Sequence, residues 1–577
     1  MRTAAQGRTM GRRVLSAWLV ALAAFHAAVA AGPHEAPAFD GTVKAAAGAD
    51  RRLFETAVRQ IAERRSGWLR KAEASRPALR SRTVAPRRLV KGVADGKAFL
   101  GWRCEDAGEA SSAYGRALAA GDTFVFDFGE HLVGFLSFAL GREGRPVDAP
   151  PRLRFEFGEL PGEALAPCEG PCALSLSWHQ DETVTVDEVP GRVTLPRRFA
   201  FRYVKMTVLA CSRGSRFTLA DVSCRAVTSA DETRLEPYAG AAEDRALDAI
   251  ANRTLRDCMQ TVLEDGPKRD RRLWLGDLRL QALANYRSYR NDAVVRRSLY
   301  LLAATCTANG LVATDAYERP QPENAGDYIY DYTALFANTV LEYVEATGDA
   351  ATGEDLWPIV VRAMDYVLGE IDGTGLIVEK PQWWTFIDWQ PAMDKRAAEQ
   401  AVVVSALRAF ARLGRRLGHD RDVAWAGRAI ELMTVAAHRQ FWDAAKGVWT
   451  SNGNVSWATQ AWMALAGVST ADEAKGSLRT AMDDPKAVRP VTPYMNHYFC
   501  EALAVSGLKA EALGYLRAYW GGMAKLGADT YWEVWDPSDW EKSPYGNCRI
   551  NSFCHAWSCT VGYLLRTHFN ETRKEVR

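Results

Sequence analysis

The residues best suited to chemistry lie in the segment 265–277. It reads Asp-Gly-Pro-Lys-Arg-Asp-Arg-Arg-Leu-Trp-Leu-Gly-Asp, so the carboxylates of Asp265, Asp270 and Asp277 alternate with basic residues and the indole of Trp274. A solvated helix face also collects charge, but it seldom begins with Gly-Pro and seldom holds Trp and Gly between its acids. The segment therefore predicts a site that binds and protonates a sugar.

Hydrolysis of a glycosidic bond needs one protonated carboxyl group and a second one that is ionised. Asp270 lies between Arg269 and Arg271, whose charges favour its ionised form, so a role as the acid requires burial or a neighbouring carboxylate. Asp265 and Asp277 are placed to supply that like charge or to bind sugar hydroxyls. Asp270 is the candidate acid on these grounds.

A second candidate carboxylate lies far along the chain, in the sequence Tyr-Trp-Glu-Val-Trp-Asp at positions 531–536. Glu533 is flanked there by the indoles of Trp532 and Trp535, and we predict that it holds a water molecule as a general base. The alternative is an exposed loop acid beside aromatic side chains that pack in the core.

Two further places have both a binding and a structural interpretation. Asp388 and Trp389 are predicted to bind a sugar, but Asp is also a good N-cap, and a helix follows within a few residues, which would leave Trp389 in the core. His555, in Ser-Phe-Cys-His-Ala-Trp at 552–557, taken alone is best explained as a buried, hydrogen-bonded histidine in a helix. No HxxxH or HxxE pairing accompanies it, which argues against a metal site.

The composition and the N-terminal sequence bear on the partners and the location of the protein. The net charge of +2 comes without a long basic run, which argues against nucleic acid as a partner. Many of the 19 tryptophans lie beside acids or amides, and indoles stack on apolar sugar faces as well as filling cores. Residues 1–30 have the arginines, apolar run and Ala-Val-Ala of a secretory signal peptide, and no later segment predicts a membrane span.

The chain carries no pattern that predicts a cofactor. A Gly-rich phosphate loop, a nucleophile elbow and an EF-hand pattern are all missing from the sequence. Cys168 and Cys172 flank the turn residues Glu-Gly-Pro, which predicts a disulfide-closed loop. Zinc is the weaker explanation because no matching His/Cys pair follows at zinc-finger spacing.

The periodicity of apolar residues divides the mature chain into three parts. Residues 31–94 predict a partly helical segment with one amphipathic helix over Leu53–Lys71. Residues 95–228 predict a β-sandwich from alternation at 152–157, 183–186 and 199–204 between Gly/Pro turns. Residues 241–570 predict an (α/α)6 barrel, a six-hairpin toroid, because about twelve helical patterns follow one another. They lie near 241–263, 277–290, 293–308, 331–347, 353–371, 394–416, 420–440, 455–467, 471–482, 493–506, 509–525 and 551–568.

Three connections within the helical part are longer than packing alone requires. They span 309–330, 372–393 and 526–550, and long ordered loops in a compact domain usually carry function. If alternate loops open on one rim of a toroid, all three meet the segment 265–277 there. That arrangement predicts a sugar cleft on one end of the barrel.

Several of these motifs together resemble those of the α-L-rhamnosidase family of glycoside hydrolases, family 78. The stretch 265–271 followed by Trp-Leu-Gly-Asp at 274–277 is similar to the family signature Asp-Cys/Gly-Pro/Ala-Gln/Lys-Arg-(acid)-Arg…Trp-x-Gly-Asp. Residues 531–535 resemble the family's Trp-Glu base motif, and residues 552–557 resemble its Ser-x-x-His-Ala/Gly-Trp helix. Phe-Asp-Phe-Gly-Glu-His-Leu-Val-Gly-Phe at 126–135 resembles part of the sandwich that precedes the barrel.

The resemblance implies an inverting exo-glycosidase that releases a terminal sugar, α-L-rhamnose above others, from a polysaccharide or glycoconjugate. Asp270 stands at the general-acid position and Glu533 at the general-base position, and inversion implies carboxyl groups about 6.5–9.5 Å apart. Many members have Glu where Asp270 stands and Gly where Leu273 stands. The implied sugar contacts are Asp265, Arg269, Trp274, Asp277, Asp388, Trp389, Trp532 and His555.

Two other classes of function are compatible with the same residues. One is another (α/α)6 carbohydrate enzyme, either a different glycosidase or a uronate lyase. The other is a carbohydrate-binding protein without activity, for which the short side chain of Asp270 is the best argument. Both acid positions nevertheless keep carboxylates, which favours an enzyme.

Overall fold

The structure is a computed structural model that describes residues 37–144, 148–166, 169–212, 215–378 and 384–570. The predicted signal peptide, residues 1–30, lies outside the described residues. Within the described residues, no helix is both long enough and apolar enough to span a membrane. Cys172 is a free thiol, so the expected disulfide with Cys168, which itself lies outside the described residues, is not supported.

The N-terminal segment packs a long helix on the outside of the helical part of the chain. A short helix α1 (Val43–Ala46) is followed by α2 (Arg51–Ala74), which begins after the N-cap Asp50 and confirms the predicted amphipathic helix. The apolar face of α2 buries Phe54, Ile61 and Trp68 against the barrel.

The β-sandwich is built around one strand of 22 residues, β4 (Thr123–Gly144). It pairs with β8 along its first part, with a register shift between Asp127 and Leu132, and with β9 from Gly134 onward. Buried phenylalanines fill the core, as the predicted alternation requires. The other strands are β1 (Arg80–Val84), β2 (Arg88–Ala94), β3 (Trp102–Glu109), β5 (Arg152–Gly158), β6 (Asp181–Thr185), β7 (Gly191–Thr194), β8 (Phe199–Ala210) and β9 (Ser215–Thr228), with helix α3 (Pro161–Leu165) after β5.

The described residues from 241 to 570 contain twelve α-helices, in the order that the sequence predicts. They are α4 (Ala242–Cys258), α5 (Leu275–Tyr286), α6 (Asp292–Ala304), α7 (Tyr330–Thr347), α8 (Ala350–Leu368), α9 (Arg396–Leu417), α10 (Ala426–Phe441), α11 (Trp457–Leu465), α12 (Ala471–Asp483), α13 (Pro493–Val505), α14 (Lys509–Lys525) and α15 (Thr560–His568). Alternate helices α5, α7, α9, α11, α13 and α15 contact one another in a closed ring, and the remaining six lie outside it. This is an (α/α)6 barrel.

The last helix begins later than the sequence predicts. Residues 552–555 precede it in extended or irregular backbone, and His555 is followed by a short 3-10 turn, so the expected helix over 552–557 is not present. The amides there donate elsewhere: Ser552 N–H to Glu533 and Phe553 N–H to Glu159. Because these N–H groups donate to side chains, they are not available for the hydrogen bonds of a helical turn.

Sandwich and barrel are joined by buried charges. The ammonium of Lys268 in the barrel lies 2.6 Å from Glu163 of the sandwich and 3.6 Å from Glu159. The imidazole of His131 in the sandwich lies 2.7 Å from Asp257 at the end of α4. Because charges lose much of their hydration inside a protein, these pairs require close and specific contact between the two parts.

Candidate active site

A cavity of about 380 Å³ opens where the inner helices of the barrel begin. Some of the lining residues stand in the first turn of these helices, as Asp277 does in α5 and Tyr332 does in α7, and others come from loops. Helix N-termini carry partial positive charge, which suits a site rich in carboxylates. The lining residues are Leu174, Trp178, Asp265, Arg269, Asp270, Arg272, Trp274, Asp277, Tyr317, Ala325, Asp327, Ile329, Tyr332, Trp384, Phe386, Trp389, Glu533, Tyr545, His555 and Trp557.

The backbone of the segment 265–272 folds around the carboxylate of Asp265. Its two oxygens accept the backbone N–H groups of Asp270, at 3.0 Å, and of Arg272, at 3.2 Å. Burial raises the pKa of Asp265 to about 7, and the nearby charge of Asp270 acts in the same direction. Asp265 therefore positions Asp270 and retains a proton close to neutral pH.

Asp270 lies between the deep part of the cavity and its mouth. Arg269 donates to its Oδ1 at 3.1 Å, and the guanidinium of Arg272 lies 3.8 Å from its Oδ2. Its side chain is 17% exposed, whereas the side chain of Glu533 is 3% exposed. A carboxyl group at this depth can reach a bond between a sugar in the cavity and a group outside it.

Glu533 is held in the cavity wall by three donors. Arg269 forms a buried ion pair with its Oε2, which also accepts Ser552 N–H at 2.9 Å, and the Tyr545 hydroxyl donates to its Oε1 at 2.6 Å. Burial raises the pKa of Glu533, but the Arg269 charge, aided by His555 and by these hydrogen bonds, holds it at about 2. Glu533 is ionised at any ordinary pH and is not the exposed loop acid of the alternative interpretation.

Asp277 and His555 form a polar pair at the base of the cavity. His555 Nδ1 lies 3.6 Å from Asp277 Oδ1, and both side chains are almost completely buried. Burial raises the pKa of Asp277 well above its usual value, helped by the charges of Asp265 and Glu533. Burial also lowers the pKa of His555 to about 4, so a neutral imidazole and a protonated carboxyl face the cavity and can hydrogen-bond to sugar hydroxyls.

An aromatic wall closes the side of the cavity formed by the loop before α9. The rings of Phe386 and Trp557 stack 5.4 Å apart, and Trp389 lies edge-on to Phe386 at 5.2 Å. Asp331 in α7 fixes this loop, since its carboxylate accepts Phe386 N–H at 2.8 Å. The result is a rigid apolar surface of the kind that stacks on sugar rings.

Two predicted sugar contacts are wrong in position. Asp388 is fully buried away from the cavity, and its carboxylate accepts the backbone N–H groups of Val491, at 2.8 Å, and Thr492, at 3.1 Å, just before α13. Trp532 is fully buried outside the cavity and stacks on Phe99 at 4.3 Å. The other predicted site residues, Asp265, Arg269, Asp270, Trp274, Asp277, Trp389, Glu533 and His555, all line the cavity.

The structure adds site residues that the sequence did not reveal. Tyr545 reaches Glu533 from a long loop, and only the predicted importance of the connection 526–550 pointed to it. Arg272 was visible as part of the charged segment, and it donates to Asp315 at 2.9 Å. Leu174 and Trp178 come from the sandwich, where nothing in the sequence pattern indicated a functional loop.

One group of side chains among the described residues is close enough to hold a metal ion: His131, Asp257 and Cys554. It lies at the junction of sandwich and barrel and does not line the cavity. Both imidazole nitrogens of His131 are already within hydrogen-bond distance of carboxylates, of Asp257 at 2.7 Å and of Glu159 at 3.2 Å. This geometry fits a buried ion pair better than a metal site.

Comparison with known proteins places both parts of the chain in one family. Residues 86–226 match the family model of the N-terminal domain of glycosyl hydrolase family 78 α-rhamnosidases. Residues 244–569 match the model of the bacterial α-L-rhamnosidase six-hairpin glycosidase domain. A search of curated proteins found no match.

Solved structures agree with the family models. A rhamnosidase from Klebsiella oxytoca with rhamnose bound is 39% identical, with a TM-score of 0.84, over 87% of this chain and 98% of that one. A family 78 rhamnosidase from Bacillus sp. GL1 shares the fold at 23% identity and a TM-score of 0.68, over 81% of this chain and 49% of that one. An α-L-rhamnosidase from Streptomyces avermitilis does so at 18% identity and a TM-score of 0.62, over 85% of this chain and 44% of that one.

The matched six-hairpin region, residues 244–569, contains both Asp270 and Glu533, which line the cavity although they lie far apart in the sequence. Family membership and cavity chemistry therefore agree on hydrolysis of a glycosidic bond. The chain belongs to the α-L-rhamnosidase family of glycoside hydrolases, family 78.

Proposed function

We propose that this glycoside hydrolase removes a terminal α-L-rhamnose with inversion, with Asp270 as the general acid and Glu533 as the general base. The observation that carries the proposal is the contrast between two carboxylates that line the same cavity and contact the same guanidinium, that of Arg269. Glu533 is buried and ionised, whereas Asp270 is partly exposed and lies in a cluster whose neighbour Asp265 keeps its proton near neutral pH. The rhamnose bound by the Klebsiella oxytoca relative supports the choice of sugar.

The acid step begins at the edge of the cavity. Asp270 protonates the glycosidic oxygen as the bond to the anomeric carbon breaks, and this proton allows the leaving group to depart as a neutral alcohol. Asp265 sets the direction of the Asp270 side chain through the backbone N–H that it accepts.

The base step takes place at Glu533. Its carboxylate accepts a proton from a water molecule, and the oxygen of that water forms the new bond to the anomeric carbon on the face opposite the leaving group. Tyr545 and Arg269 fix the carboxylate in one orientation. In one turnover Asp270 loses a proton to the leaving group and Glu533 gains a proton from the water. Exchange of protons with solvent then restores both groups to their starting states.

Exo action is proposed from the shape of the cavity. Its base is closed by buried side chains, among them Asp277, His555 and Phe386. A terminal ring can enter and be enclosed, whereas a chain continuing past that ring would meet the inner helices.

Substrates with different leaving groups distinguish the acid role of Asp270 from the base role of Glu533. Asp270→Asn should lower kcat about 10²- to 10⁴-fold on a rhamnoside with an unactivated alcohol and far less on a dinitrophenyl rhamnoside, which departs without a proton. Glu533→Gln should lower kcat on both substrates. Asp539→Asn, an exposed acid of the same loop, is the matched control and should retain wild-type rates.

Proton NMR of the first product tests stereochemistry and sugar together. β-Rhamnose as the first anomer supports the proposal, and α-rhamnose overturns inversion. An unsaturated product that absorbs in the ultraviolet would indicate a lyase. Saturable binding without release of reducing sugar would indicate a carbohydrate-binding protein.

We also propose that the protein is exported. The support is the signal-peptide pattern of residues 1–30. N-terminal sequencing of the protein recovered outside the cytoplasm should begin close to Ala31, and an intact N-terminus on protein confined to the cytoplasm would contradict export.

A further inference from the structure

A small antiparallel sheet continues directly from the catalytic segment. Its strands are β10 (Leu273–Trp274), β11 (Asp315–Tyr317) and β12 (Glu323–Asn324), with Trp274 opposite Asp315 and Tyr317 opposite Glu323. The connection 309–330, which carries two of these strands, is thereby held by backbone pairing to the residues that follow Asp270. A side chain on β11 therefore keeps a fixed position relative to the acid.

Two residues of β11 contact the same arginine. Side chains two apart on a strand point to the same face, and Asp315 and Tyr317 both meet Arg272. Asp315 accepts from Arg272 at 2.9 Å, and the Tyr317 ring lies 4.6 Å from the guanidinium carbon. Arg272 in turn lies 3.8 Å from the Asp270 carboxylate. Tyr317 is thus linked to the proposed acid through a single side chain.

Tyr317 differs from the other aromatic residues of the cavity in its exposure. Tyr317 is 36% exposed, whereas Tyr332, Phe386 and Trp557 are nearly completely buried and the lining indoles of Trp178, Trp274, Trp384 and Trp389 are half-buried. A terminal sugar enclosed by the buried residues leaves the more exposed residues to whatever lies beyond the glycosidic oxygen. One face of the Tyr317 ring packs on the guanidinium of Arg272, and the exposed part of the ring lies beside the acid.

We propose that the ring of Tyr317 is the platform on which the leaving group rests, so that this residue determines which leaving groups the enzyme accepts. The inference rests on the proposed function, because it takes Asp270 as the group that protonates the leaving oxygen. The leaving group it selects has an apolar ring face, which an aryl group and a pyranose both present. Arg272, fixed on the other side of the ring, keeps the platform from turning away.

Kinetics with leaving groups of different size test the platform. The substrates are α-L-rhamnosyl fluoride, 4-nitrophenyl α-L-rhamnoside and a rhamnosyl-glucose disaccharide. Tyr317→Ala should raise KM for the nitrophenyl substrate about threefold to tenfold, the range expected for the loss of one ring stacking contact. The fluoride, which reaches no platform, should keep its KM within about twofold. If KM for the disaccharide rises as well, the platform binds sugar rings; if it does not, the platform is selective for aryl groups.

Two variants and one inhibitor separate binding from a structural role. Tyr317→Phe keeps the ring and should therefore keep KM for the nitrophenyl substrate within about twofold of the wild-type value. Trp540→Ala removes an exposed indole that does not line the cavity and should leave the kinetics of all three substrates unchanged. Rhamnose itself occupies only the enclosed part and should inhibit wild type and Tyr317→Ala equally. If Tyr317→Ala weakened rhamnose inhibition or slowed the fluoride as much as the nitrophenyl substrate, Tyr317 would act by positioning Arg272, and the platform would be disproved.

These kinetics distinguish failure of the platform proposal from failure of the proposed function. A wild-type enzyme that hydrolyses none of the three rhamnosides overturns the choice of sugar. A wild-type enzyme that hydrolyses them, while Tyr317→Ala retains its KM for both larger substrates, overturns the platform alone.

Discussion

At the scale of single residues, carboxyl groups of the same chemical type have different pKa values because their surroundings differ. Asp265, Asp277 and Glu533 are all buried carboxyls, yet the pKa values of the first two are raised and that of Glu533 is lowered. The difference follows from Arg269, whose guanidinium pairs with Glu533. Burial favours the neutral acid unless a cation and hydrogen-bond donors compensate it.

The hydroxyl of Tyr545 should contribute measurably to the low pKa of Glu533. Tyr545→Phe removes the hydrogen bond to Glu533 Oε1, and because that bond stabilises the ionised form, the pKa of Glu533 rises from about 2. We expect the acid limb of the kcat/KM profile to move to higher pH and kcat to fall about tenfold, for a lost charged hydrogen bond of about 1.5 kcal/mol. The profile should be recorded on a nitrophenyl rhamnoside.

The matched control is Tyr114→Phe, which removes a hydroxyl that meets the backbone of Val222 inside the sandwich. It should keep the wild-type profile. An acid limb that stays in place in Tyr545→Phe would mean that Arg269 and the Ser552 amide alone set the ionisation of Glu533.

At the scale of secondary-structure elements, close contact between inner helices shapes the cavity. Gly276 in the first turn of α5 faces the ring of Tyr332 in α7, and a Cβ there would lie 2.2 Å from the ring. Only glycine therefore allows these two helices to approach and leaves the tyrosine in the cavity wall. The sequence motif Trp-Leu-Gly-Asp contains this glycine for a packing reason.

Gly276→Ala should displace the Tyr332 ring and thereby change the cavity. We expect the free energy of unfolding to fall by about 1–3 kcal/mol, as in other overpacked cores, together with a rise in KM for every rhamnoside. Gly514→Ala in α14, where a Cβ would meet nothing within 4 Å, should instead raise the free energy of unfolding by about 0.5–1 kcal/mol. Urea unfolding and steady-state kinetics measure both, and an unchanged KM in Gly276→Ala would show that Tyr332 does not shape the binding site.

Elements were easier to predict than contacts between them. The periods of 3.6 and 2 residues predicted the helix order and the strands at 152–157 and 199–204, because each pattern is local. Asp388 was misjudged because its partners, Val491 and Thr492, lie more than a hundred residues later in the chain. Trp532 stacks on Phe99, which is still more distant in sequence, so local sequence cannot distinguish a core indole from a sugar platform.

At the scale of the whole molecule, charge holds the sandwich against the barrel. Lys268, two residues before the proposed acid, pairs with Glu163, and the same interface contains His131 between Asp257 and Glu159. Burial lowers the pKa of His131, but the charge of neighbouring Cys554, together with the hydrogen bonds to Asp257 and Glu159, outweighs burial and raises this pKa well above its usual value. The imidazole is therefore charged in the folded protein.

Replacement of His131 should make the stability depend less on pH. Because the folded pKa lies above the unfolded value, the stabilisation is complete below about pH 6.5 and is lost as pH rises through the folded pKa. His131→Gln should lose about 3–5 kcal/mol at pH 6, the cost of leaving buried charges unpaired, and the difference from wild type should shrink at higher pH. Thermal unfolding between pH 6 and 10 measures this. The control is His419→Gln, which removes a partly exposed histidine that also lies between two carboxylates, Glu354 and Asp422. A difference that stayed constant over this range would contradict a charged His131.

The loop that carries Leu174 and Trp178 into the cavity constrains how the two domains can evolve. Ala173 of this loop donates to the carbonyl of Tyr545 at 2.9 Å, and Gln180 at its end pairs both amide atoms with the backbone of Ala200 in the sandwich. A recombination event that exchanged the sandwich for that of a relative would therefore also exchange part of the pocket and the support of Tyr545. The two domains are free to diverge in sequence, but they must diverge as a matched pair.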